Sequence, residues 1–170
     1  RKEEALKWTL KVYKKKSQWP PYIQIAICWI YSTNFEPVDE QIKYLNQILQ
    51  IDDQNPTLHW LLGNTYGGIN QYEKAIPEQE KAVYLLHKWG LDDPFYYACL
   101  GDSYHKTGQY KKEKALYKKA AKYIKIVDQS IIHRQAVLSL SENDTVSARK
   151  YIEKYYSFCK ENSVSEADKN

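Results

Sequence analysis

The 170-residue chain has 43% apolar and 27% charged side chains, the ordinary balance of a globular protein. No apolar run approaches the roughly 18 residues a membrane span needs, which excludes a membrane partner of that kind within the chain. The net charge is a modest +4, and three scattered cysteines exclude a disulfide framework.

Apolar periodicity near 3.6 residues predicts helices throughout. The first, 3–16, carries Leu6, Leu10 and Tyr13 on one side and stops at Trp19-Pro20-Pro21. Helices follow at 20–33 and 37–51, the latter with Ile42, Leu45, Ile48, Leu49 and Ile51 in register. The turn signal Asn55-Pro56 opens a helix at 57–68, and Tyr72 opens one at 72–89. Asp93-Pro94 opens 95–107, and Gly108 separates it from 110–126. Helices at 129–141 and 145–160 complete the series, and 163–170 reads as a polar tail. The opening Arg1-Lys2-Glu3-Glu4 and the absence of Met lead to the expectation that this is a fragment of a longer protein.

Within this series one stretch repeats. Leu62-Gly63, Tyr66, Tyr72, Ala75 and Ala82 in the first copy answer to Leu100-Gly101, Tyr104, Tyr110, Tyr117 and Ala120 in the second, at a step of 38 residues. Gly costs about 1 kcal/mol in a helix relative to Ala, so Gly63 and Gly101 point to close approach of a neighbouring helix. Ala75 and Ala82 give the second helix a thin side for that approach. Gly108 lies between two helices, where positive φ is expected, and Asn70 stands in its place in the first copy. The step should lengthen the helix from Tyr72 by about one turn. Pro77 inside that helix removes one backbone hydrogen bond and should bend it.

These residues resemble the signature of the tetratricopeptide repeat, a helix–turn–helix unit of about 34 residues. The resemblance implies an all-α fold, a right-handed superhelical array of antiparallel helix pairs. About four units would lie at 22–55, 56–93, 94–128 and 129–162, after a half unit in 1–19. Departures stand out: Glu113 occupies a place for a small residue, Gln79 replaces an aromatic, and His59 and Tyr97 replace Trp. In the last unit Ala136 takes the Gly place, Asn143 the turn and Ala148 the small place.

The resemblance also places ligand contacts on the first helix of each unit. Mapped here, these include Thr57, Trp60 and Asn64, then Phe95, Asp102, His105 and Lys106, with Ile23, Ala26 and Ile30 before them and Ser130 and His133 after. Asn64 and Asp102 would hydrogen-bond a peptide while Trp60 and Phe95 supply apolar area; the competing reading packs Trp60 and Phe95 between adjacent units. Asp102 and Lys106 together make the groove mixed in charge. Related units that hold a terminal carboxylate use Lys at the fifth place, where this chain has Ala26, Trp60 and Ala98, so that specific function is disfavoured.

No catalytic constellation is present. The four histidines lack metal-ligand spacing, no Cys-x-x-Cys occurs, Ser103 has no nucleophile elbow around it, and Gly67-Gly68 lacks the rest of a phosphate loop. No cofactor or metal is therefore expected, and no enzyme. The cysteines are read as small apolar packing residues in a reducing, cytoplasmic setting. Lys111, Lys112, Lys114, Lys118, Lys119, Lys122 and Lys125 are read as a solvated outer face rather than a nucleic-acid site. The expected function is a non-catalytic interaction scaffold, part of a bacterial protein, that binds a peptide or partner protein through a concave groove. The alternative is a regulatory or sensor region of a multidomain protein whose DNA-binding or enzymatic part lies elsewhere. Self-association through the array ends at Leu6, Leu10 or Tyr151 would be a competing source of contacts.

Overall fold

The computed structural model describes residues 2–123 and 129–167. Among them the regular structure is entirely helical: α1 (Lys2–Lys14), α2 (Pro21–Phe35), α3 (Val38–Leu49), α4 (Pro56–Gly68), α5 (Tyr72–Lys88), α6 (Pro94–Lys106), α7 (Tyr110–Tyr123), α8 (Gln129–Ser141) and α9 (Thr145–Ala167), with a 3₁₀ turn at Lys16–Gln18. The predicted ends of the helix at 110–126 lie partly outside the described residues, as do Lys125 and the last three residues of the tail. The chain divides into two compact units, residues 1–85 and 86–170.

Local chemistry sets the helix ends. Pro56 and Pro94 occupy the first turn of α4 and α6, where a missing N–H costs nothing. The caps just before them do the satisfying: Asn55 Oδ1 accepts from the Thr57 and Leu58 amides at 3.0 and 3.4 Å, and Asp93 Oδ1 from the Phe95 amide at 2.8 Å. At the other ends, Asn70, Gly90, Gly108 and Asn143 have φ of 59, 70, 68 and 59°. Each closes its helix in the same way. The next residue's amide reaches back to the last turn: Gln71 to the Tyr66 carbonyl, Leu91 to Leu86, Gln109 to Tyr104 and Asp144 to Ser139, at 2.8–2.9 Å. Positive φ at Gly108 and Asn70 is as expected.

In the first unit, α2 and α3 pair and α3 packs on α4. Its core holds Leu45, Ile48, Leu62, Ala75 and Ala82, all nearly or fully buried. A Cβ at Gly63 would come within 2.7 Å of Gln79 Cγ and 3.1 Å of the Ala75 carbonyl oxygen, so α4 and α5 meet at the glycine. Helix α5 runs unbroken through Pro77 for 17 residues against 12 in α3, so the extra residues of the step extend a helix rather than a loop.

In the second unit, α6 packs on α7 and lies beside α8, which pairs with α9. Tyr97, Leu100, Tyr117 and Ala136 fill its core. A Cβ at Gly101 would lie 2.6 Å from Tyr117 Cζ. Tyr97, in the place of the expected Trp, is fully buried and donates its hydroxyl to Asp92 Oδ1 at 2.5 Å. Burial and this bond hold the Tyr97 phenol well above its ordinary range, and Asp92 below its own despite burial. The described lysines of the second helix, Lys111, Lys112, Lys114, Lys118, Lys119 and Lys122, are all exposed. All three cysteines are free and half-buried, a shallower position than full burial in the packing interior.

Candidate functional site

The first helices carry the candidate residues. On α6, Gly101 turns one side toward α7, and spacing by three and four residues then sets Asp102, His105 and Lys106 on a side that α8 adjoins. From α8, Arg134 grips Asp102 with two parallel bonds, Nε to Oδ1 at 2.7 Å and Nη2 to Oδ2 at 2.6 Å. Its Nη1 donates to the Ser130 carbonyl at 3.2 Å. The bond to Asp102 raises the Arg134 pKa further, so the guanidinium is permanently charged.

His105 joins α6 to α7. Its Nδ1 lies 3.0 Å from Glu113 Oε2, and its Nε2 is 3.4 Å from Ser141 Oγ on α8. Glu113 is 1% exposed. Burial drives its pKa above the usual carboxylate value, and the bond to His105 only partly offsets this. Asp102, His105, Lys106, Glu113, His133, Arg134 and Val137 line a cavity of about 330 Å³. A neighbouring cavity of about 440 Å³ is bounded by Gln129, Ser130, His133, Arg134 and Tyr155.

Asp102, His105 and Lys106 are thus brought together on one cavity. Phe95 lies earlier on α6, 54% exposed and outside that lining. Thr57, Trp60 and Asn64 lie on α4 in the first unit: Thr57 is exposed, Trp60 and Asn64 half-buried. Asn64 Oδ1 already accepts from Gln79 Nε2 at 3.0 Å, so it would meet a ligand through its amide nitrogen. His59 holds its helix in place, with Nδ1 2.6 Å from Glu78 Oε2 and Nε2 2.9 Å from the Asp53 carbonyl.

Two members of the second-unit cavity were not reached from sequence. Arg134 could have been found as a cation 32 residues after Asp102, near enough to the repeat period to face it from the next first helix. Glu113 drew notice only as a misfit, because its partner His105 was assigned to the ligand. Among the described residues no group of three or more His, Cys, Asp or Glu is arranged to hold a metal ion, and no helix is long and apolar enough to cross a membrane.

Comparison with known proteins agrees with this geometry. Residues 56–85 and 96–125 match the tetratricopeptide repeat family. The chain is similar in structure to MamA, at 17% identity and a TM-score of 0.74, over 93% of this chain and 88% of that one. MamA from Desulfovibrio magneticus RS-1 superposes with a TM-score of 0.73 at 17% identity, covering 94% and 86%. A Podosopora anserina protein described as a kinesin light chain with nearly identical TPR-like repeats gives 0.74 at 16%, covering 94% and 88%. No curated protein matches the chain. The two central helix pairs are tetratricopeptide repeats, and the fold is the all-helical one of such solenoids, a scaffold that generally mediates protein–protein interaction.

Proposed function

We propose that the chain is a non-catalytic scaffold that binds a peptide or a partner protein along its first helices. The array would run as units at about 22–55, 56–93, 94–128 and 129–162 behind a half unit. In the first unit the ligand would meet Thr57, Trp60 and the Asn64 amide; in the second, Phe95, Asp102, His105 and Lys106.

The observation that carries this reading is the cavity beside α6, where first-helix side chains of several chemistries converge on about 330 Å³ of space. Its polar groups are held by neighbours in the same unit: Asp102 by Arg134, and His105 by Glu113. Groups already fixed lose little freedom when a ligand arrives, which favours binding. Because Asp102 is neutralised by Arg134, the exposed Lys106 leaves the cavity cationic on balance rather than evenly mixed.

The test is selection of peptides from a random display library on the intact chain, followed by titration of the selected peptides against variants. Lys106→Glu should weaken them at least tenfold, with circular dichroism unchanged. Lys118→Leu, on the far side of the helix pair, should leave them unaffected. Peptides that bind Lys106→Glu as tightly as the natural chain would move the binding surface off this face.

A further inference from the structure

We propose that the outer side of α1 docks the protein onto an anionic lipid bilayer. This stands apart from the peptide-binding reading and goes beyond the expectation that no membrane takes part.

Helix α1 lies against α2 through one side, where the Tyr13 and Tyr31 rings stack with centroids 3.8 Å apart. None of its residues is buried. Away from that contact Trp8 and Val12 are 56% and 41% exposed. They are four residues apart and therefore neighbours on the helix surface. Exposed lysines border them: Lys7, Lys11 and Lys15. Lys11 Nζ sits 4.6 Å from the centre of the Trp8 ring, so the charge rides directly on the apolar strip. Residues 2–16 hold six lysines against Glu3 and Glu4, a surplus of four that equals the net +4 of the whole chain. The positive balance of the protein is therefore concentrated on this segment.

The composition selects the occupant. A second copy of α1 would bring a like charge against this one and be repelled. A nucleic acid would take the lysines but has no use for exposed Trp8 and Val12. The segment holds lysine and no arginine; a compact ammonium suits mobile headgroup phosphates, whereas guanidinium is favoured where geometry is fixed. An indole at the headgroup level with lysines around it is the arrangement of helices that lie in a bilayer surface. The helix would rest on the membrane and not cross it.

Helix α7 provides an internal control. It has six exposed lysines, Lys111, Lys112, Lys114, Lys118, Lys119 and Lys122, yet none of the exposed large apolar side chains among the described residues belongs to it. It offers charge without anything to insert.

The experiment is flotation of the intact chain with vesicles of phosphatidylcholine and phosphatidylserine, three to one, and with phosphatidylcholine alone. The natural chain should float with the anionic vesicles only, and less as salt is added. Each lysine near an anionic surface contributes about a fivefold gain in binding, so Lys7→Gln/Lys11→Gln/Lys15→Gln should lose about a hundredfold. Trp8→Ser/Val12→Ser should lose about tenfold or more with its helicity and melting unchanged, since both side chains are exposed. Lys111→Gln/Lys118→Gln/Lys122→Gln should float like the natural chain. Absence of flotation overturns the proposal. So does flotation, or equal retention on polyglutamate, that ignores Trp8 and Val12, which would assign the face to polyanions at large. So does a lipid-free dimer that Trp8→Ser/Val12→Ser dissociates, which would assign it to a second copy.

Discussion

The two central repeats solve the same packing problem with different chemistry. Residues 38 apart correspond, and both copies keep the glycine where first and second helices meet. Against Gly63 lies the flexible Gln79, which donates to Asn64; against Gly101 lies the buried ring of Tyr117. One turn on, the first copy has Gly67 and the buried Ala75, while the second has His105 and the buried Glu113, 3.0 Å apart. The exchanges are coupled. Where Tyr117 takes the place of Gln79, Asp102 takes that of Asn64 and turns to Arg134 instead. Polar groups enter this interface only with a partner, because an unpaired one would keep its full desolvation cost.

The largest expected effect tests the shared glycine. Gly101→Leu and Gly63→Leu should each cost roughly 1–3 kcal/mol or more by overpacking. Alanine should sharpen the difference between copies: Gly101→Ala strikes a buried ring, whereas Gln79 can move aside from Gly63→Ala, with the Ala75 carbonyl at 3.1 Å limiting the relief. Urea melts giving equal costs for the two alanine variants would mean the ring yields as readily as the amide.

Next comes the pair that replaces small residues. His105→Ala leaves Glu113 buried with its ring partner gone and should cost about 1–3 kcal/mol. Its counterpart Gly67→Ala should stabilise by up to about 1 kcal/mol through helix propensity, since the nearest atom to an added Cβ is 3.9 Å away. Thermal melts with shifts of the same sign would break the comparison.

The two copies should also differ in pH dependence. Glu113 in the folded chain keeps its proton to higher pH than in the unfolded chain. A group with a raised folded pKa contributes most below the unfolded carboxylate value, and that contribution fades as pH rises through the folded value. Stability should therefore fall with pH over that window, and Glu113→Gln should remove this component. Melts of the variant that keep the full slope would place its origin elsewhere.

The smallest effects lie at the surface. Asp102→Ala breaks a pair that is 26% and 53% exposed on its Arg134 and Asp102 sides, and should cost about 0.2–1 kcal/mol. Lys118→Leu should stay within about 0.5 kcal/mol of zero. A larger loss at Lys118 would mean that the outer side of α7 is not a solvent face.

The fold was legible because its determinants are local and periodic. Asn55-Pro56, Asp93-Pro94, Asn70, Gly108 and Asn143 each specify a cap or turn within a few residues, and the helix ends fell mostly within one or two positions of expectation. Helix α9 is the exception: it continues to Ala167 rather than stopping at 160. Apolar periodicity reports packing, and a helix that runs past its packing partners leaves no such trace. The candidate site was legible only in part. Asp102, His105 and Lys106 could be placed on a first helix by register, but Arg134 and Glu113 reach them from other helices. Aligning the copies at 38 residues holds a clue to Glu113, since positions 67 and 75 change together to His105 and Glu113.

The central claim is that His105 and Glu113 form one unit substituting for Gly67 and Ala75. A double-mutant cycle in urea measures it directly, using His105→Gly, Glu113→Ala and the two combined, which recreates the first copy's pair. The account predicts that the double variant is destabilised less than the sum of the singles, with a coupling of about 0.5–3 kcal/mol. Additivity within about 0.3 kcal/mol would show two independent side chains and contradict it.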